Sequence, residues 1–85
     1  MSTLEWKRKP RACIQTFEAM ASDGGTYRIE WCGSYGRYDV SYRPMLESKW
    51  YPPFGSARTV PEAVALAEDY DRRATAYLEA REAQP

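Results

Sequence analysis

The residues of this chain that could do chemistry are acids set among arginines. In the run Tyr27-Arg28-Ile29-Glu30-Trp31-Cys32-Gly33-Ser34-Tyr35-Gly36-Arg37-Tyr38-Asp39-Val40-Ser41-Tyr42-Arg43, polar and large apolar residues alternate on both sides of a glycine-flanked turn. Folded as a hairpin about Gly33–Gly36, the run sets Glu30 directly opposite Asp39, and a preceding strand brings Glu18 beside Glu30. Like charges in such a row repel, so the row asks for a compensating cation. Arg28, Arg37 and Arg43 surround it and can supply that charge diagonally; basic residues of a partner can do the same. No other residue stands at ligand spacing, so no metal is expected.

Other chemistries lack their parts. The chain has no His, the usual general base at neutral pH and the commonest metal ligand. It has no Ser/His/Asp set, no Cys/His pair and no phosphate-cradling glycine loop. Cys13 and Cys32 allow one disulfide at most and project to opposite sheet faces in this register, so both are read as free thiols of a reducing cytoplasm. Neither catalysis nor a cofactor is expected.

The elements that hold these groups follow from period and punctuation. About Gly33–Gly36, Trp31 pairs with Tyr38, Ile29 with Val40 and Tyr27 with Tyr42, and a slip by one residue would turn every ring to the other face. Residues 12–21 read as a strand joined through Ser22-Asp23-Gly24-Gly25, with Phe17 opposite Trp31 and Ala19 opposite Ile29. The rival reading of the same segment is a short helix from Pro10 to Gly24. The segment 44–58 is a loop, since Pro52-Pro53 bars a central strand, with a short edge strand around Lys49–Tyr51 as the one addition.

Thr59-Val60-Pro61-Glu62 is a capping box with proline in the first turn, and it opens a helix over about 60–82 within residues 59–83. Ala63, Leu66, Ala67, Tyr70, Ala74, Tyr77 and Leu78 form its apolar stripe. Glu68/Arg72 and Asp69/Arg73 are spaced to pair on its wet side. At roughly 33 Å such a helix outruns the strands and overhangs the sheet. The fold expected is α+β: a three-stranded antiparallel sheet, four-stranded with the edge strand, packed on one long C-terminal helix. Residues 1–85 form one domain, with residues 1–10 as a basic N-terminal arm.

Two faces result. Phe17, Tyr27, Ile29, Trp31, Tyr38, Val40 and Tyr42 make an aromatic face that the helix stripe is expected to cover; left open, it would be a base-stacking platform. The other face carries Glu18, Arg28, Glu30, Arg37 and Asp39. With Tyr35 at the hairpin tip and the proline-held Trp50 and Tyr51, these are the candidate partner-binding residues. Twelve Lys/Arg balance twelve Asp/Glu, whereas general nucleic-acid binders show a basic excess. Residues 1–45 carry seven and five, and residues 46–85 five and seven, respectively. The alternative site, for nucleic acid, would use Lys7, Arg8, Lys9, Arg11 and Arg43. No run of about 18 apolar residues and no apolar leader core is present, so a cytoplasmic protein is expected.

Gly36-Arg37-Tyr38-Asp39-Val40-Ser41-Tyr42-Arg43, followed by Phe54-Gly55-Ser56-Ala57-Arg58-Thr59-Val60-Pro61-Glu62-Ala63, resembles a βββα pattern of small phage and mobile-element proteins, some anti-CRISPR proteins among them. That resemblance implies a non-catalytic inhibitor that covers a surface of a CRISPR effector complex in a bacterial host. A weaker resemblance, to the arm-type DNA-binding domain of phage integrases, would put Arg28, Glu30, Arg37, Asp39 and Arg43 on DNA. Glu18, Glu30 and Asp39 depart from the basic face that role requires. A homodimer through the overhanging helix is a further expectation.

Overall fold

The computed structural model describes residues 4–9 and 15–82. Arg11, Cys13 and the side chain of Leu78 lie outside the described residues. Strands β1 (Lys7–Lys9), β2 (Thr16–Met20), β3 (Thr26–Cys32), β4 (Arg37–Arg43) and β5 (Gly55–Ala57) precede helix α1 (Val60–Glu82). The strands form one antiparallel meander in the order β1-β2-β3-β4-β5. The α+β class holds, but the sheet has five strands rather than three or four.

The extra strands come from the two ends of the sheet. The basic stretch at Lys7–Lys9 is no free arm: it pairs with β2, Lys7 lying opposite Glu18. Opposite charges across the ladder favour that pairing, and lysines blunt the exposed edge. At the other edge, Tyr51 N–H donates to Tyr42 O and Phe54 N–H to Val40 O, both at 3.0 Å. The expected edge strand at Lys49–Tyr51 does not form. Pro52 and Pro53 have no N–H to give, so a regular ladder begins only after them, at Gly55.

The β3–β4 register is the expected one: Trp31 with Tyr38, Ile29 with Val40, Tyr27 with Tyr42 and Glu30 with Asp39. Residues 16–20 are strand, not helix, but β2 is shifted by two positions. Phe17 lies opposite Ile29 and Ala19 opposite Tyr27. The turn comes one residue early, because Gly24 takes the left-handed conformation at φ 90°. Ala21 N–H then donates to Gly25 O at 2.8 Å and Gly24 N–H to Ala21 O at 3.1 Å, leaving Ser22-Asp23-Gly24 as a three-residue turn. Gly25 has no room for a side chain: a Cβ there would sit 2.7 Å from Arg43 O and from the Tyr42 ring.

Helix α1 starts at its capping box, Glu62 N–H donating to Thr59 Oγ1 at 3.3 Å. It lies over β3, β4 and β5. The core between the layers is Ala21, Tyr27, Ile29, Val40, Ala63 and Ala67. Alanines on the helix let it approach a sheet whose own face is filled by rings. The buried stripe is therefore only part of the expected one. Ala63, Ala67 and Asp71 face the sheet, while Leu66 (38% exposed), Tyr70 (40%) and Tyr77 (65%) stand at the side or in the open. On the wet side Arg72 and Arg73 both pair with Asp69, at 3.1 and 3.0 Å, and Glu68 instead accepts from Leu4 N–H at 3.0 Å. From Ala76 to Arg81 every described side chain is exposed, and the molecule measures 50 × 26 × 21 Å. The helix end overhangs the sheet.

Candidate functional site

The face of the sheet turned away from α1 carries most of the expected partner-binding residues. Strand alternation puts Glu18 of β2, Arg28 and Glu30 of β3, and Arg37, Asp39 and Arg43 of β4 on it. The expected row of three carboxylates does not exist. The two-residue shift moves Glu18 away from Glu30 and sets it between Lys7 and Arg28, a rung of alternating charge. Only Glu30 and Asp39 remain directly opposed. Asp39 is relieved by Arg37, whose Nε lies 3.0 Å from Oδ1. With the arginine side chain 46% exposed, such a pair orders the surface more than it stabilises the fold.

Two aromatic rings on this face are held by arginines. The guanidinium carbon of Arg28 lies 4.1 Å from the centroid of Trp50 and that of Arg43 lies 5.0 Å from it. Arg37 lies 4.8 Å from the ring of Tyr35, which is 70% exposed at the hairpin tip. Each cation–π contact contributes about 0.5–1 kcal/mol when exposed and about 2 kcal/mol when dry. Arg28 Nε is buried without a hydrogen-bond partner among the described residues, so the Trp50 ring takes over part of its solvation.

Tyr51 does not belong to this surface. Its ring packs on Tyr42, centroids 6.1 Å apart, on the helix side, so Trp50 and Tyr51 straddle the sheet edge. The alternative basic residues divide as well. Lys7 and Lys9 share the open face with the sheet arginines, whereas Arg8 lies opposite Phe17 and projects to the helix side; Arg43 is engaged with Trp50.

A second cluster, unforeseen in the sequence, lies between α1 and the β2–β3 turn. Asp71, 7% exposed, accepts from Ser22 N–H at 3.0 Å, from the Ser22 hydroxyl and from the Tyr27 hydroxyl at 3.1 Å. Nearby, Asp23 accepts from Gly25 N–H at 2.8 Å and from the Tyr42 hydroxyl. Burial, then the Asp71 charge and hydrogen bond, push the Tyr27 phenol far above its ordinary range. Tyr42 is raised by burial and by its bond to Asp23. The phenols stay neutral and act as donors, and a small cavity of about 70 Å³ remains beside them. With protein donors on both carboxylates, this is a clasp that holds the helix to the turn. The signal available was Asp71 itself, four residues after Ala67 and eight after Ala63.

Among the described residues, no group of three or more His, Cys, Asp or Glu is placed to hold a metal ion, and Cys32 is a free, half-buried thiol. No described helix is long and apolar enough to cross a membrane. Comparison with protein-family models, curated proteins and solved structures found no match for this chain.

Proposed function

We propose that the chain is a non-catalytic protein-binding module that meets its partner with the open face of the sheet. The observation that carries this reading is the Arg28–Trp50–Arg43 stack. It places a preorganised tryptophan and two arginines on a face that no described helix covers. Tryptophan, tyrosine and arginine dominate binding energy at protein interfaces, and rings already held in place cost little entropy to immobilise. Tyr35 on Arg37 extends the surface to the hairpin tip. The alternating rung Lys7–Glu18–Arg28 and the Glu30/Asp39/Arg37 group give it a mixed-charge pattern that sets register with a partner. The most concrete form, an inhibitor covering a CRISPR effector complex, is supported by the sequence resemblance alone.

The experiment is capture from a nuclease-treated bacterial lysate on the immobilised full chain, beside the variants Trp50→Ala and Tyr35→Ala. A protein retained by the wild type and lost from both variants supports the reading; equal retention by all three overturns it. A second reading, nucleic-acid binding, is favoured by one observation: Lys7 and Lys9 sit on the same face as Arg28, Arg37 and Arg43. Duplex DNA retained at physiological salt and released steeply as salt rises would establish that reading and remove the first.

A further inference from the structure

Beside the buried stripe, α1 carries a second stripe that is complementary to itself. Glu62, Leu66, Tyr70, Arg73, Tyr77 and Arg81 follow one another at steps of four, four, three, four and four residues, within an arc of about 100° on a helix that turns 100° per residue. All six are exposed. Read in the opposite direction, the order of acid, apolar residue, aromatic, base, aromatic and base pairs with itself. In an antiparallel helix pair Glu62 meets Arg81, Leu66 meets Tyr77 and Tyr70 meets Arg73, and a two-fold axis makes every contact twice.

We infer that this stripe is the interface with a second copy of the chain. The overhanging end of one α1 lies in an open groove of about 430 Å³ beside the other, between the helix and the edge strand β5. Ser56, Ala57, Ala65 and Leu66 form its small and apolar floor, Glu62 flanks it with negative charge, and Asp69 on its rim is already paired with Arg72 and Arg73 of its own helix. The incoming helix end brings Tyr77 for the floor and Arg81 for Glu62. Tyr70 is already fixed, stacked on Phe54 with centroids 4.4 Å apart, so its free face meets Arg73 of the second copy without reorganising. The interface lies on the helix side, opposite the sheet face assigned above to a protein partner, and the two stand or fall separately.

Sedimentation equilibrium of the full chain tests this, from about 5 to about 500 µM, the range in which small interfaces assemble. A reversible dimer is expected. Glu62→Arg alone and Arg81→Glu alone each set like charges together at both ends, raising the dissociation constant by roughly tenfold or more. The double variant Glu62→Arg/Arg81→Glu recreates the pairs with signs exchanged and restores the dimer. Far-ultraviolet circular dichroism shows that each variant folds. A monomer across the whole range, a dimer indifferent to the single exchanges, or a double variant no tighter than the singles would each overturn the inference.

Discussion

The hydroxyl of Tyr27, in the middle of β3, donates to Oδ1 of Asp71 at 3.1 Å across 44 residues of sequence. Through Ser22, the same carboxylate also grips the β2–β3 turn. One buried acid thus joins helix, sheet centre and turn. Asp71→Ala leaves the Ser22 N–H and two hydroxyls without their acceptor and is expected to cost about 2–4 kcal/mol. Tyr27→Phe removes one donor only and should cost about 1 kcal/mol. Because both changes act on one network, urea denaturation of the double variant should show a loss clearly smaller than the two single losses added.

The tyrosine clasp makes stability depend on alkali. In the folded chain the Tyr27 and Tyr42 phenols are raised above their ordinary value of 10.0. Below about pH 10 both states are protonated and the contribution of the clasp is complete. Above that pH the unfolded chain loses phenolic protons that the folded chain keeps. The unfolded state then binds fewer protons, and stability falls as pH rises further toward the raised folded values. Denaturation midpoints measured from pH 8 to about pH 11 should fall above pH 10, and Tyr27→Phe/Tyr42→Phe should flatten that slope.

Leu46 is the one described non-glycine residue with positive φ, at 78°. It is 98% exposed and sits third in the Pro44–Glu47 turn, closed by Glu47 N–H to Pro44 O at 3.2 Å. That position favours glycine, because a Cβ there crowds the backbone. Leu46→Gly therefore gives up no packing and should stabilise the protein by about 0.5–1 kcal/mol. A thermal melt that moves downward would contradict this account of the turn.

Trp50→Ala takes the ring from under two guanidinium groups and lets water reach Arg28 Nε. The expected loss is about 1–2 kcal/mol. Trp50→Phe keeps a ring with a weaker quadrupole and should fall between alanine and wild type. Chemical denaturation of the three proteins should give that order, whether or not a partner binds.

Much of the architecture was legible locally. Period-two alternation around Gly33–Gly36 determined the pairing of Ile29 with Val40 and of Glu30 with Asp39, because one slipped residue would exchange a dry face for a wet one. Thr59 and Glu62 marked the helix start, since capping is a matter of four consecutive residues. The open sheet face and the exposure of Tyr35 followed from the same register.

Tertiary structure decided the rest, for reasons that no local window contains. Three-residue strands such as β1 and β5 have no pattern of their own and exist because the edges of β2 and β4 present unpaired backbone groups. Which glycine closes the β2–β3 turn moved Glu18 by two positions, from an acidic row to a place between Lys7 and Arg28. The helix rotated to set Ala63, Ala67 and Asp71 against the sheet, because Tyr27 and Tyr42 already fill that space and only small residues and a hydrogen-bonded acid fit beneath. That rotation kept Ala63 and Ala67 of the expected stripe in the core, left Tyr70 at the rim against Tyr27, Tyr42 and Phe54, and turned Leu66 and Tyr77, which hydrophobic period alone assigned to the core, to the surface.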